Sequence, residues 1–196
     1  KRAAELAGFG SCILLQEPVA AGLAYGFQMR DKNLTWLVYD LGGGTFDAAL
    51  LRAKDGRIGV LEHGGDEHLG GEIIDRKIVD ELVVPALLRE YDFPGFRRGN
   101  DVWLSAYATI YSEVEKAKIR LSRVTSETLS IQFNHPLTRK EVCFECDLTR
   151  KEIEKITEPL LLQTIQTCKQ VLTSAGLGRD DVEKILLVGG ATLMPC

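Results

Sequence analysis

The feature that most constrains this chain is a run of three glycines, Gly42, Gly43 and Gly44, between two apolar segments. Residues 35–39 before the run and residues 48–51 after it are typical of buried β-strands. Two strands joined through three glycines predict a hairpin with bare backbone at its tip. Because glycine has no Cβ and tolerates positive φ, successive N–H groups in such a tip can close around an anion.

Three polar residues flank the glycines: Asp40, Thr45 and Asp47. Two carboxylates suit a hydrated divalent cation, and a hydroxyl suits a phosphate oxygen. The residues alone leave two interpretations open. The hairpin is either a phosphate–metal site or an ordinary glycine-rich turn with solvated aspartates.

Composition excludes several classes of protein. A chain of 196 residues with 45% hydrophobic content can bury a sizeable core. The net charge is −4 and no basic stripe is present, so we expect no nucleic-acid partner. No apolar run approaches the roughly 18 residues of a membrane span, so we expect no membrane partner. The chain opens without methionine and stops directly after a predicted strand, so we interpret it as a fragment of a longer protein.

The five cysteines are scattered and odd in number. This pattern argues against a disulfide framework and predicts a reducing, cytoplasmic location. Cys143 and Cys146 have the C-x-x-C spacing of a metal or redox motif, but they lie in an alternating strand-like run. Positions three apart in a strand face opposite sides, and no second pair completes a tetrahedral zinc site.

The run from Asp40 to Asp47 resembles the second phosphate-binding segment of the DnaK-type, seventy-kilodalton heat-shock chaperones, which belong to the actin-like ATPase superfamily. Four further stretches resemble the same family in the same order, at residues 17–26, 65–72, 115–122 and 188–195. The resemblance covers nearly the whole chain. It implies an α/β fold, namely a ribonuclease-H-type lobe of the actin-like ATPase domain with an inserted α+β subdomain.

The order of predicted elements divides the chain into two subdomains. Residues 1–69 and 148–196 are predicted to form the core α/β subdomain, and residues 70–147 an inserted helix-plus-hairpin subdomain. In the first half of the chain we expect a strand at 12–15, a helix at 19–27, a three-stranded meander with a turn at Asp55 and Gly56, and a helix at 71–91. A helix at 101–122, capped by Asp101, and a hairpin at 125–147 are expected to follow. The last elements are a helix that starts at the capping box of Thr149 and Glu152, bends at Pro159 and ends at about 175, and a strand at 184–188.

The resemblance implies catalytic roles for four residues. Asp40 would hold the water shell of a magnesium ion and polarise the attacking water, which Glu17 would help to position. Thr45 would contact the γ-phosphate. Asp47 would support the site through a water or a bound cation such as potassium.

Other residues are implied to contact the nucleotide. The phosphates would be wrapped by the glycine run and bordered by Gly70, Gly71 and Glu72, where a glycine-opened helix is expected to present unpaired N–H groups. Glu115 and Ser122 would contact the ribose and base, and the stem of Lys118 would pack along the adenosine. The residues alone also allow an exposed Glu115–Lys118 ion pair.

The last segment, Gly189, Gly190 and Ala191, would lie over the adenine. The chain departs from the family pattern at Leu193, which occupies the position of an arginine that stacks on the base. Losing that contact is expected to cost about 1 kcal/mol or more of adenine affinity.

The resemblance therefore implies the ATP/ADP-binding lobe of a chaperone of protein folding and the stress response, with magnesium as cofactor. The family's first phosphate hairpin and catalytic lysine belong to the other lobe, so we expect the fragment alone to be inactive. The implied partners are that first lobe, a peptide-binding domain, a nucleotide-exchange factor and a J-domain co-chaperone. Two alternatives remain open: a lobe of another enzyme of the superfamily, such as a sugar kinase, or a catalytically silent interaction module.

Overall fold

The computed structural model describes residues 1–26, 34–54 and 57–196. Its α-helices are α1 (Arg2–Leu6), α2 (Glu17–Ala24), α3 (Gly71–Ile78), α4 (Val84–Glu90), α5 (Leu104–Leu121) and α6 (Arg150–Ser174). Its strands are β1 (Thr35–Leu41), β2 (Phe46–Lys54), β3 (Arg57–Asp66), β4 (Ser126–Asn134), β5 (Glu141–Thr149) and β6 (Lys184–Val188). Short 3₁₀ turns lie at Asp101–Trp103, Arg179–Asp181 and Gly190–Leu193. No helix in these described ranges is long and apolar enough to cross a membrane.

Four strands form one sheet in the order β3-β2-β1-β6. β1 and β6 are parallel, with Val38 opposite Leu186, and β2 and β3 are antiparallel. Residues 48–51 of β2, an internal strand, are all buried rather than alternating, so both faces of the sheet are covered at this strand. The predicted meander and the strand at 184–188 are confirmed. The predicted turn at Asp55 and Gly56 lies outside the described residues.

The chain forms two compact units, and the first contains this sheet. It comprises residues 1–40, 46–66 and 166–188. One apolar cluster of this unit is contributed by α2 and three strands, through Val19, Trp36, Val38, Leu51, Ala53 and Leu186. The cluster fixes the strands that lead into and out of the glycine run.

The second unit comprises residues 41–45, 67–165 and 189–196. Its core is larger and is built from α3, α4, α5, the β4–β5 hairpin and the first part of α6. Fully buried members include Ile78, Leu87, Ile110, Leu129 and Ile131. The hairpin predicted at 125–147 is confirmed, whereas the subdomain boundaries at 69/70 and 147/148 stay a prediction.

The helix predicted at 71–91 is confirmed with one irregularity. A π-helical turn at Val79–Val83 connects α3 to α4 without interrupting the helix. It ends at Val83, two residues before Pro85 near the start of α4. Proline cannot donate the regular helical hydrogen bond and its ring crowds the preceding turn, so a locally widened turn accommodates it.

Two local predictions are wrong. Residues 12–15 form no strand, and Ile13 is 92% exposed. A strand needs a neighbour for its backbone groups, and no strand among the described residues pairs with this segment. Asp101 does not cap α5. Instead the Asn100 side chain accepts a hydrogen bond from the Val102 N–H at 3.1 Å, and α5 begins at Leu104 after a 3₁₀ turn.

The capping box at the start of α6 is confirmed. The Glu152 carboxylate accepts hydrogen bonds from the Thr149 N–H at 2.9 Å and the Thr149 hydroxyl at 2.6 Å. α6 continues through Pro159 to Ser174, close to the predicted end. The bend expected at Pro159 stays a prediction.

Candidate functional site

The second unit contains a cavity of about 590 Å³. It brings together residues from four segments that are far apart in the chain. The predicted nucleotide-binding residues that line the cavity are Gly42, Gly43, Gly71, Glu72, Glu115, Lys118, Ser122, Gly190 and Ala191. The remaining predicted residues, Gly44, Thr45, Gly70 and Gly189, do not line the cavity. Each of the three glycines is next to a lining residue in the sequence, and Thr45 follows Gly44.

The glycine loop is tied to the first turn of α3. The Gly71 N–H donates to the Gly42 carbonyl at 2.9 Å, and the Glu72 N–H donates to the Gly43 carbonyl at 2.6 Å. A further bond, from the Gly42 N–H to the Thr45 carbonyl at 3.0 Å, closes the loop on itself. These bonds preorganise the loop.

The same bonds correct one expectation. The sequence predicts that the start of α3 presents unpaired N–H groups to an anion, but those of Gly71 and Glu72 are already used by the loop carbonyls. A helix start satisfied in this way has less remaining capacity to bind an anion directly.

Glycine is required at position 70 because the backbone of the loop lies very close to it, and not because of its own backbone angles. Its φ of −171° is ordinary extended backbone. A Cβ at this position would lie 2.5 Å from the Gly43 carbonyl oxygen and 2.8 Å from the carbonyl carbon of Gly44. Backbone atoms cannot move aside as a flexible side chain can, so only glycine allows α3 to begin directly against the loop.

A buried ion pair lines the cavity. The Lys118 Nζ, on α5, lies 2.7 Å from the Asp75 Oδ2, on α3, and 3.3 Å from the Gly71 carbonyl. The two side chains are only 10% and 3% exposed. Burial raises the pKa of the Asp75 carboxyl, and the ammonium of Lys118 acts in the opposite direction. The exposed Glu115–Lys118 pair that the spacing allowed is therefore replaced by a buried partner 43 residues away.

Part of the cavity wall is apolar and exposed. Ile119 is 59% exposed and Leu193 is 78% exposed, and Met194 lies beside them in the lining. Leu193 was identified from the sequence, whereas Ile119, Arg123 and Met194 were missed. Their positions, next to residues that the motifs do select, carry no separate signal in the sequence.

The first unit contains a second cavity, of about 540 Å³. Three of the four predicted catalytic residues line it together: Glu17 at the start of α2, Asp40 on β1 and Asp47 on β2. Burial raises the pKa of the Asp40 carboxyl, and the negative charges of Glu17 and Asp47 raise it further. Three carboxylates in one cavity repel one another, which is the electrostatic setting that a cation relieves.

Replacing Asp40 by asparagine is expected to stabilise the folded chain modestly at pH 7. A carboxyl whose pKa is raised on folding disfavours the folded state once it ionises, and the amide removes that cost. The gain should shrink as the pH falls through the raised pKa of Asp40 and should vanish below about pH 3, where aspartate is mostly protonated in both states. Urea denaturation of both proteins between pH 7 and pH 3 measures this. A gain that stayed constant with pH would contradict the charge argument.

The donor set fits a hydrated cation better than a directly ligated one. No group of three or more His, Cys, Asp or Glu side chains within the described ranges is arranged to hold a metal directly. Carboxylates that face a cavity without converging on one point can hold the water shell of Mg²⁺, which keeps several of its waters in proteins.

In the C-x-x-C motif, Cys143 is exposed on β5 and Cys146 is half-buried.

Comparison with known protein families agrees with this architecture. The sequence model of the family described as "Hsp70 protein" matches residues 1–196. The chain therefore belongs to the Hsp70 family. Membership implies an actin-like ATPase fold, a nucleotide-binding chaperone, and ATP or ADP with magnesium as ligands, and the mixed α/β architecture is consistent with it. The match does not favour the sugar-kinase alternative.

Proposed function

We propose that this chain is the ATP/ADP-binding lobe of a DnaK-like chaperone and that the cavity of the second unit holds the nucleotide. One observation carries the proposal. Four segments separated by up to about 150 residues, each selected from sequence for its resemblance to a nucleotide-contacting motif, line a single cavity.

The chemistry of the lining suits the parts of a nucleotide. The glycine loop allows phosphate oxygens to approach the main chain closely. Beside it Lys118 is paired with Asp75 and Glu72 with Arg76, so much of the counter-charge for the phosphates is left to a bound cation. Glu115 and Ser122 offer hydrogen-bonding groups for a sugar and base, and Ala191 offers a small surface on which a flat ring can lie. The exposed aliphatic side chain of Leu193 takes the place of a cationic stacking group, and the exposed Ile119 lies in the same lining.

The carboxylates of the first unit are proposed to serve the metal and the water. Asp40 and Asp47 would hold the water shell of Mg²⁺, and Glu17 would orient the attacking water. Mg²⁺, when bound, neutralises charge on the phosphates. Such sites act by placing charges and orienting water rather than by covalent chemistry. Thr45 would contact the terminal phosphate, and potassium is a candidate second cation near Asp47.

Further features of the proposal follow from the family. Turnover would require a first lobe that supplies another phosphate hairpin and a lysine, and hydrolysis would control a peptide-binding domain. A J-domain co-chaperone and a nucleotide-exchange factor are the proposed partners, and residues 70–147 are proposed as an inserted subdomain. The proposed location is cytoplasmic, and the proposed role is in the stress response.

Isothermal titration with ADP and magnesium tests the assignment. We expect weak binding by this chain, no ATP hydrolysis, and about fivefold tighter ADP binding in the Leu193→Arg variant, because a guanidinium on the base contributes about 1 kcal/mol. Leu162→Arg is the matched control, since Leu162 is also exposed but lies on α6 outside the cavity. Equal changes in both variants, or ATP turnover by the isolated chain, would contradict these expectations.

The silent interaction module is retained as a second candidate function because two exposed aliphatic side chains, Ile119 and Leu193, line the cavity. Aliphatic side chains cannot make the cation–π contact that an arginine would make with a base, so the expected affinity for a base is lower. ATP hydrolysis by a full-length parent protein containing this sequence would exclude that candidate. Failure of the parent to bind ADP would exclude the nucleotide-binding proposal instead.

A further inference from the structure

His63 is a residue of the first unit's cavity that neither the sequence motifs nor the proposed function uses. It lies on β3 and lines this cavity together with the three carboxylates. Its backbone N–H donates a hydrogen bond to the Glu62 carboxylate at 3.0 Å. Within the described part of the chain its imidazole ring has no hydrogen bond, ion pair or ring contact, and the residue is exposed. The ring is therefore available to a ligand that enters the cavity.

The pairing of β2 with β3 puts His63 on the same face of the sheet as Asp47. His63 pairs with Ala49, and Gly65 pairs with Asp47. Residues directly opposite one another in an antiparallel pair point to the same face, and alternate residues of one strand also share a face. His63 and Asp47 are therefore diagonal neighbours at about 7–8 Å, a separation that an aromatic side chain can span.

The other two residues of this group of four are small. Ala49 is opposite His63, and Gly65 is opposite Asp47. A Cβ at Gly65 would lie 2.8 Å from the Asp47 Oδ1. The Asp47 carboxylate thus lies over β3, the strand that carries His63, in space that a larger residue at position 65 would fill. The small neighbours leave room for an ion between the imidazole ring and the carboxylate.

The cavity therefore combines one nitrogen donor with three carboxylates. Mg²⁺ prefers oxygen ligands and keeps several of its waters, whereas imidazole is a good ligand for Zn²⁺ and related transition-metal ions. His63 and Asp47 would supply two ligands, and waters would complete the shell of the ion. Two direct ligands are compatible with the absence of a three-ligand cluster among the described residues.

We propose that His63 is a specificity-determining residue of this cavity and that, with Asp47, it ligates Zn²⁺ or an ion of the same class in preference to Mg²⁺. Asp40 and Glu17 would hold the waters of the ion. Zn²⁺ bound in this way would displace hydrated Mg²⁺. The inference rests on the proposed function, which places a hydrated cation in this cavity, and it adds the choice of cation.

The test measures the dissociation constants of Co²⁺, a substitute for Zn²⁺, and of Mg²⁺ by isothermal titration without nucleotide. The thiols are first blocked with iodoacetamide, because cysteine also ligates such ions. For the unmodified chain we expect Co²⁺ to bind at least about tenfold more tightly than Mg²⁺. His63→Gln should weaken Co²⁺ binding by about tenfold or more, since even residues that only support a metal ligand contribute about 10–100-fold. Mg²⁺ binding should be unchanged in this variant.

Two results of this comparison would overturn the proposal. The first is equal affinity of the unmodified chain for the two cations. The second is a loss of affinity in His63→Gln that is equal for Co²⁺ and Mg²⁺, because the residue would then not distinguish between them.

Two further variants locate the bound Co²⁺. Asp47→Asn should weaken Co²⁺ binding, and unchanged affinity would place the ion elsewhere and overturn the proposal. His135→Gln is the matched control, since His135 belongs to the second unit and does not line this cavity. A loss of Co²⁺ affinity in His135→Gln as large as that in His63→Gln would also count against His63.

A parallel titration with ADP and magnesium separates this proposal from the proposed function. If His63→Gln bound ADP normally and kept the ratio between Co²⁺ and Mg²⁺ affinity, the role of His63 would be overturned and the nucleotide site would stand. Absence of binding of either cation by the unmodified chain would overturn this inference together with the proposed cation role of the cavity.

Discussion

Replacing Gly70 by alanine is expected to weaken ADP binding by about tenfold or more and to lower the free energy of unfolding by about 1–3 kcal/mol. The new methyl group would start 2.5 Å from the Gly43 carbonyl oxygen, so either α3 or the glycine loop must move. Movement breaks the bonds from Gly71 and Glu72 that shape the loop. Titration calorimetry with ADP and urea denaturation measure the two effects.

Gly59→Ala is the matched control for this experiment. Gly59 lies on β3 and does not line the cavity, and a Cβ added to it would meet no heavy atom within 4 Å beyond its chain neighbours. This variant should therefore bind ADP as the unmodified chain does. If Gly70→Ala also bound ADP normally, the close approach of α3 to the loop would have no role in forming the site.

Replacing Lys118 by methionine is expected to lower the free energy of unfolding by about 3–5 kcal/mol, because it leaves the Asp75 carboxylate buried without its counter-charge. The double variant Asp75→Leu, Lys118→Met should recover most of this loss, since replacing a whole buried pair by apolar groups is often neutral. Urea denaturation of the unmodified chain, both single variants and the double variant forms a complete cycle.

Lys116→Met supplies the comparison with an exposed pair. Lys116 lies 2.7 Å from Glu113, with its side chain 54% exposed. Exposed pairs of this kind contribute about 0–1 kcal/mol, so the loss should be small. If Lys116→Met and Lys118→Met lowered the free energy of unfolding by similar amounts, burial of the Lys118–Asp75 pair would not explain its contribution to stability. A double variant no more stable than Lys118→Met would lead to the same conclusion.

Much of the fold was predictable because its signals are local. The strands on either side of the glycine run, the capping box at Thr149 and the helix opened by Gly71 are each encoded within a few residues. Residues 12–15 show the limit of such reasoning. Their composition favours a strand, but a strand also depends on partners, which local sequence does not specify.

The candidate site was likewise predictable where its signals are local and unpredictable where it depends on distant contacts. Glycines, acids and a lysine-bearing helix could be selected from their motifs, and the structure places most of the selected nucleotide-binding residues around one cavity. The partner of Lys118 could not be predicted, since Asp75 is 43 residues away and no local pattern links the two positions. The hydrogen bonds from the Gly71 and Glu72 N–H groups to the loop carbonyls could not be predicted either, because they depend on a contact between two segments.

The tie between loop and helix has an electrostatic consequence. Two carbonyl oxygens already lie against the positive end of the α3 dipole, so little of its field remains to attract a polyanion. Lys118 is paired with Asp75 and Glu72 with Arg76, while Glu115 and Arg123 add one charge of each sign to the same wall, so the wall offers a polyphosphate no net positive charge. A nucleotide that enters this unit should therefore bind more tightly when a divalent cation accompanies its phosphates.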